Sequence, residues 1–127
     1  MLIATWNVNS IRTRLSQIID WITQSNPDIL CLQETKVIDD SFPVEAFEKL
    51  GYLVEIYGQK SYNGVAIISK IKPENVKKGF HSSTLSNQNV KIFLDQKRLI
   101  SADINGIKII NVYVPNGSSL DLSLIHI

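Results

Sequence analysis

The chain has 127 residues, of which 44% are hydrophobic and 20% charged, and these proportions exclude a disordered or low-complexity protein. Thirteen Lys and Arg against twelve Asp and Glu give a formal net charge of +1, so the overall charge does not indicate a nucleic-acid-binding protein. A single cysteine, Cys31, excludes an internal disulfide framework and a multi-cysteine zinc site, and its apolar neighbours indicate a small buried hydrophobe. No apolar run reaches the roughly 20 residues of a membrane span, and we expect a cytoplasmic protein.

The first third of the chain is predicted to form a strand, a helix and a second strand. Residues 2–6 are a short apolar run typical of a buried strand. A helix is predicted over 11–22, because apolar residues recur there at helical spacing, and Asn9 or Ser10 is expected to cap it. Residues 29–32 form another apolar run. Two strands separated by one helix are expected to lie parallel in one sheet.

The rest of the chain is predicted to be rich in strands. A short second helix is expected from Pro43 to Leu50, with a glycine just past its end. Strands are then predicted over 52–57, 65–69, 90–94, 99–104 and 107–114. Asn105 and Gly106 are typical of a hairpin turn between the last two strands. Residues 70–89 are polar and weakly patterned, and no element is assigned to them.

The order of these elements predicts an α/β protein in which strands outnumber helices. Several strands, such as 65–68 and 107–112, carry apolar residues on both faces and therefore need cover on both sides. Two helices cannot cover both faces of a sheet of six or seven strands. Part of the cover that these strands need is therefore expected to be missing.

Polar residues follow three of the predicted strands at their carboxyl ends, where ligands bind in open α/β sheets. They lie at 6–9, 33–36 and 111–117. Because the first two strands are expected to be parallel neighbours, Asn7 and Glu34 should emerge close together at one edge. An amide oxygen beside a carboxylate suits a hard cation such as Mg²⁺. Taken singly, a capping Asn and a surface Glu are the commoner roles of these residue types.

Five motifs recur along the chain in the order and spacing of one known superfamily. They are Trp-Asn-Val-Asn-Ser-Ile-Arg at 6–12, Leu-Gln-Glu-Thr-Lys at 32–36, Asp-Asp-Ser-Phe-Pro at 39–43, Asn-Gly-Val-Ala-Ile at 63–67 and Asn-Val-Tyr-Val-Pro-Asn-Gly at 111–117. Residues 1–117 resemble the N-terminal half of the endonuclease/exonuclease/phosphatase superfamily, and within it the exonuclease III branch of abasic-site DNA repair nucleases. Residues 118–127 depart from the family pattern and are interpreted as a non-native tail.

The resemblance implies a four-layer α/β/β/α sandwich. This chain would supply its N-terminal half, as one mixed sheet with two helices on the outer face, and the face meant to pack on the second sheet would lie bare. The resemblance also implies that Glu34 and Asn7 hold a Mg²⁺ ion, with Mn²⁺ as the alternative. Tyr113 would contact the scissile phosphate, where its hydroxyl would stabilise charge in the transition state.

Further site residues and the substrate follow from the same resemblance. Asn9 and Asn116 are given secondary roles in the site. Arg12 and Lys36 are expected near the DNA backbone. The implied substrate is double-stranded DNA with abasic sites or 3′ ends, with no membrane and no obligate protein partner.

Two motifs of the family's second half, Gly-Asp-x-Asn and Ser-Asp-His, do not occur in this sequence, so no general base is evident. His81 and His126 are assigned no catalytic role. We therefore expect a fragment of a Mg²⁺-dependent DNA repair nuclease with little or no activity alone. Two alternatives stay open: a phosphodiesterase or phosphatase of the superfamily that acts on lipid or inositol phosphates, and a non-catalytic interaction module.

Overall fold

The structure, a computed structural model, describes residues 1–79 and 97–115. Within these ranges the elements in chain order are β1 (Ile3–Asn7), α1 (Ile11–Ser25), β2 (Ile29–Gln33), one turn of 3₁₀ helix (Asp39–Ser41), α2 (Val44–Glu48), β3 (Leu53–Tyr57), β4 (Val65–Ser69), β5 (Glu74–Lys78), β6 (Leu99–Ile104) and β7 (Ile107–Val112). The predicted strand at 90–94, His81, Asn116 and the tail at 118–127, which contains His126, lie outside the described residues.

The first sheet contains four strands in the order β1-β2-β4-β3. β1 and β2 are parallel, with Ile3 opposite Ile29 and Asn7 opposite Gln33, whereas β4 is antiparallel to both of its neighbours. The parallel pair confirms the predicted strand–helix–strand unit. It also places the carboxyl ends of β1 and β2 at the same edge of the sheet.

The two helices lie where the sequence predicts them. The Ser10 hydroxyl caps α1 by accepting a hydrogen bond from the Thr13 backbone N–H at 3.3 Å, and the helix ends at Asn26 in a left-handed conformation. α2 is shorter than predicted, and Pro43 lies immediately before its first residue. In the described part of the chain, no helix is long and apolar enough to cross a membrane.

Within residues 1–79 and 97–115, a second sheet contains three antiparallel strands in the order β5-β6-β7. β6 and β7 form the predicted hairpin, and both Asn105 and Gly106 adopt the positive φ angles, 52° and 78°, that its two-residue turn requires. β5 is a strand that the sequence pattern does not predict. Its segment, Glu-Asn-Val-Lys-Lys, has one apolar side chain, and it becomes a strand by pairing with β6.

Each face of the first sheet packs against a different layer. The core on the helix side includes Leu30, Leu32, Ala66 and Ile68 from the sheet and Ile11, Ile18, Ile22 and Phe47 from the helices. The core between the sheets includes Ile29, Cys31, Val65 and Ile67 from the first sheet and Ile100, Ala102, Ile104 and Ile109 from the second. The α/β class, and a mixed sheet with both helices on one face, are confirmed.

The expectation of a bare second face is wrong. That expectation placed the hairpin strands in the same sheet as the others, whereas they form a separate sheet that covers this face. The reason lies in β6, where Ile100, Ala102 and Ile104 are buried and the residues between them are not, so that one face of this strand is apolar. Cys31 lies in this core as predicted, and burial raises the pKa of its thiol to about 11.

A pair of substitutions on β4 tests whether both faces of the first sheet are covered. Ile67 and Ile68 are both fully buried, Ile67 between the sheets and Ile68 against the helices. Replacing either with alanine is expected to lower the free energy of unfolding by about 2–5 kcal/mol, because each change leaves a cavity. Denaturant titration measures the loss, and Ile110→Ala, at a position 60% exposed, is the control. A small loss for Ile67→Ala alone would show that the core between the sheets does not form.

Candidate active site

The polar residues predicted to meet at one sheet edge do lie together. Asn7 is the last residue of β1, and Glu34 directly follows Gln33, the residue of β2 that pairs with Asn7. Tyr113 directly follows β7 in the second sheet. The side chains of Tyr113 and Asn7 both lie within hydrogen-bonding reach of the Glu34 carboxylate, and both lower its pKa. The site thus lies between the two sheets, where the carboxyl ends of β1 and β2 in the first sheet meet the carboxyl end of β7 in the second.

The surroundings of Glu34 favour its ionised form. Burial would raise the pKa of Glu34, but the hydrogen bonds from Tyr113 and Asn7 and the charge of Lys36 together hold it below its ordinary value. The Lys36 Nζ lies 3.6 Å from the carboxylate. In turn, burial and the bond to Glu34 raise the pKa of Tyr113 to about 12. At neutral pH the site therefore holds a carboxylate and a protonated phenol side by side.

The other predicted site residues are placed at different distances from this pair. Lys36 donates a hydrogen bond to the Asn9 side chain, and the Asn9 backbone N–H donates to the Asn7 amide oxygen at 3.2 Å. Asn9 and Lys36 therefore belong to the same cluster as Asn7 and Glu34. Arg12 is exposed on the first turn of α1.

The backbone after β2 is held in an uncommon conformation. Glu34 and Lys36 have φ angles of 56° and 61°, in the left-handed region that residues other than glycine and asparagine seldom adopt. The Ser10 N–H donates to the Glu34 carbonyl at 2.8 Å, and the Lys36 N–H donates to the Asn63 carbonyl at 3.0 Å. Such strain persists only where surrounding contacts impose it. The neighbouring loops therefore fix the position of the backbone from which the Glu34 side chain extends.

Gly64 makes a close approach to this strained segment. A Cβ atom at Gly64 would lie 2.1 Å from Thr35 Oγ1, and the φ angle of this residue is +91°. We expect Gly64→Ala to lower the free energy of unfolding by more than about 2 kcal/mol, because Thr35 must shift as well as the backbone. Gly106→Ala is the matched control: its φ is +78° but nothing lies within 4 Å, so its cost is about 1 kcal/mol. Equal losses in thermal unfolding would contradict the contact with Thr35.

Two buried residues near Tyr113 are not among the predicted site residues. Asn111 is 2% exposed, and its side chain forms hydrogen bonds with β2 and β4. Arg98 is 7% exposed, and its Nε donates a hydrogen bond to the Asn63 side chain at 3.3 Å. The positive charge of Arg98 lowers the pKa of Tyr113 and so opposes the effect of burial. The only sequence signal for either residue is its position, Asn111 at the start of the last motif and Arg98 immediately before β6.

The donor set fits one class of metal ion. Glu34 is the carboxylate of the cluster, and no group of three or more His, Cys, Asp or Glu that could hold a metal occurs within 1–79 and 97–115. Mg²⁺ is commonly held by one or two carboxylates, while water and substrate phosphates fill its other positions. The residues present fit such an ion. They do not fit a structural zinc site, which needs four protein ligands.

Comparison with known proteins identifies relatives along nearly the whole chain. The family model described as Endonuclease/Exonuclease/phosphatase family matches residues 4–101. Exodeoxyribonuclease III of Haemophilus influenzae is 37% identical, over 94% of this chain and 43% of its own length. An AP endonuclease structure from Archaeoglobus fulgidus is 48% identical with a TM-score of 0.82, over 95% of this chain and 44% of that one. A structure of the 3′ phosphatase NExo from Neisseria, bound to a product DNA hairpin, is 41% identical with a TM-score of 0.80, over 94% and 43% of the two chains.

These matches define the lineage of the chain and its extent. The chain spans less than half the length of the relatives it matches. The family match includes Asn7 and Glu34 and extends from β1 into β6. Since it also covers more than half of the 127 residues, this chain belongs to the endonuclease/exonuclease/phosphatase family.

Proposed function

We propose that this chain contributes the metal-binding carboxylate and a phosphate-contacting phenol to a DNA repair nuclease. The reaction is hydrolysis of phosphodiester bonds at abasic sites and 3′ ends of double-stranded DNA. The observation that carries the proposal is the Glu34 carboxylate, which lies beside Tyr113, Asn7 and Lys36 where the two sheets meet and whose pKa these side chains lower. The relatives support the substrate, since they are an exodeoxyribonuclease, an AP endonuclease and a phosphatase with bound DNA. Because they are more than twice as long as the matched segment, the activity of a whole protein is itself part of the proposal.

Each residue of the cluster has a role that suits its chemistry. Glu34 would hold the divalent ion, with Asn7 fixing the carboxylate from the end of β1. When bound, Mg²⁺, or Mn²⁺ as the alternative, supplies charge neutralisation at the phosphate and at the leaving oxygen. Tyr113 keeps its proton at neutral pH, so its hydroxyl can donate to a phosphate oxygen whose negative charge increases in the transition state.

The remaining predicted residues would act around this centre. Lys36 lowers the pKa of Glu34, and its positive charge, with that of Arg12 on α1, suits contact with the DNA backbone. Asn9 would act through Lys36, to which it is hydrogen-bonded. Asn116, which lies outside the described residues, keeps the secondary role that the resemblance implies.

A chimera with a relative tests the proposal. The segment of the Archaeoglobus fulgidus enzyme that matches this chain is replaced by residues 1–115, and cleavage of an abasic-site duplex and of a 3′-recessed duplex is measured with Mg²⁺ and with Mn²⁺. We expect DNA cleavage that requires the added ion. Folding of the chimera is checked by circular dichroism. A folded chimera that hydrolyses inositol or lipid phosphates but not DNA would contradict the proposed substrate, and one inactive on every substrate would contradict the proposed site.

The 127-residue chain alone is expected to cleave DNA no faster than its Glu34→Ala variant. The reason is that none of residues 1–79 and 97–115 is assigned as the base that takes the proton from the attacking water. The measurement is incision of an abasic-site duplex by the purified chain with Mg²⁺. Incision that disappears on Glu34→Ala would refute this expectation, while supporting Glu34 as part of the site.

A further inference from the structure

The side chain of Asn111 joins the two sheets immediately behind the candidate active site. Its amide nitrogen donates to the backbone carbonyls of Leu32 at 2.9 Å and Ala66 at 2.8 Å. Its amide oxygen accepts a hydrogen bond from the Gln33 side chain at 2.7 Å. Leu32 and Ala66 are paired residues of β2 and β4, so a single side chain of the second sheet is bonded to two adjacent strands of the first.

These bonds give both polar atoms of the Asn111 amide a partner. Its two N–H donors and its oxygen all have partners, and the residue is 2% exposed. A buried polar group that loses such a partner keeps the full cost of its desolvation, so the amide resists displacement in any direction. Gln33 extends the connection by donating to Thr5 Oγ1 at 2.8 Å, which adds β1 to the strands joined.

The surroundings of Asn111 give these bonds a distinct role. The core between the sheets otherwise consists of apolar side chains such as Ile29, Ile67 and Ile109, whose attraction is non-directional. Apolar contacts hold the sheets together but tolerate small sliding movements between them. The three directional bonds of the Asn111 side chain restrict such sliding, since each has a limited range of length and angle.

We propose that Asn111 is the positioning residue of the site: it fixes the end of β7 against the end of β2 and so sets the separation between the Tyr113 hydroxyl and the Glu34 carboxylate. Tyr113 lies two residues beyond Asn111, and Glu34 lies two residues beyond Leu32. The Tyr113 N–H donates to the Arg98 carbonyl at 2.8 Å, so the Tyr113 backbone is held by the second sheet, whereas Glu34 extends from the first. The importance of this separation for catalysis rests on the proposed function, but the positioning itself does not.

The test compares Asn111→Ala with Ile109→Ala, a substitution on the same strand and in the same core. The full chain is labelled with ¹³C at tyrosine Cζ, the Tyr113 signal is assigned with Tyr113→Phe, and spectra are recorded at neutral pH without metal or DNA. Glu34→Ala gives the reference signal of a Tyr113 that has lost its partner. We expect Asn111→Ala to move the signal most of the way to this reference, and Ile109→Ala to leave it near the wild-type value although thermal unfolding shows a comparable loss of stability.

Two results would overturn the proposal: an unmoved Tyr113 signal in folded Asn111→Ala, or an equal movement in Ile109→Ala. If Asn111→Ala does not fold, Gln33→Met replaces it, because this variant removes one of the three bonds to Asn111 and keeps a side chain of similar length. A smaller movement in the same direction is then expected, and no movement would overturn the proposal. Because no substrate or metal is present, failure of the proposed function leaves this result unaffected.

Discussion

Replacing Glu34 with glutamine is expected to lower DNA cleavage by the chimera roughly 10³-fold. The substitution keeps the size of the side chain but removes the charge that would hold the divalent ion. Charge stabilisation by such an ion is worth several kcal/mol, and about 4 kcal/mol corresponds to three orders of magnitude in rate. The measurement is the rate constant for incision at saturating Mg²⁺ and over a range of Mg²⁺ concentrations.

The matched control for Glu34→Gln is Glu74→Gln, which removes the same charge from an exposed position on β5. A similar loss in both variants would show that net charge, rather than the site, matters for cleavage. A second measurement does not depend on the chimera. Mn²⁺ added to the 127-residue chain should broaden the NMR signals of Asn7 and Tyr113 through its unpaired electrons, and Glu34→Gln should remove this effect. Broadening that persists in Glu34→Gln would contradict Glu34 as the metal-binding carboxylate.

The second large effect is expected from Tyr113→Phe, which removes one hydroxyl group. Loss of a donor directed at a developing negative charge typically lowers kcat by about 10²–10³, with little change in KM when the group acts mainly in the transition state. The aromatic ring packs against the core between the sheets, and phenylalanine keeps that contact. We therefore expect the chimera to lose rate without losing thermal stability. Tyr62→Phe, at a position 69% exposed, is the control.

Tyr113→Phe is also expected to raise the pH below which DNA cleavage declines. The Tyr113 hydrogen bond lowers the pKa of Glu34, so its removal should raise that pKa. A higher pKa means that protonation of Glu34 begins at a higher pH, and cleavage should then decline earlier as the pH falls. NMR titration of the Glu34 side-chain carboxyl carbon measures the shift directly. An unchanged pKa together with an unchanged kcat would remove Tyr113 from the proposed site.

Local sequence patterns predict most of the described elements because their determinants are local. The apolar spacing of α1 and the Asn105-Gly106 turn specify structure within a few residues, and these elements match their predicted positions closely. β5 is not predicted, because its polar residues become a strand only through pairing with β6. The division into two sheets has the same origin: strand pairing is a long-range property, and an apolar strand fits either sheet.

The candidate site also has a part that the sequence predicts and a part that it does not. The proximity of Asn7 and Glu34 follows from the parallel pairing of two strands, which the order of elements predicts. Tyr113 lies in the third polar stretch, at 111–117, but its role in the site comes only from the family resemblance, because its strand lies in the other sheet. Asn111 begins the last motif, but nothing in the sequence reveals which residues it contacts, since two of its three partners are backbone carbonyls, and any residue type supplies a carbonyl.

The left-handed backbone at Glu34 and Lys36 has an evolutionary consequence. Among the other non-glycine residues with positive φ in the described chain, asparagine predominates, and its short polar side chain tolerates this conformation. Glutamate and lysine do not share this tolerance, so the natural residues at these two positions make the folded chain less stable than glycine would. Selection for stability alone, with no substrate present, should therefore favour glycine at positions 34 and 36. In a library screened only for resistance to proteolysis, glycine should then replace the natural glutamate at position 34, and this replacement would mark the functional carboxylate.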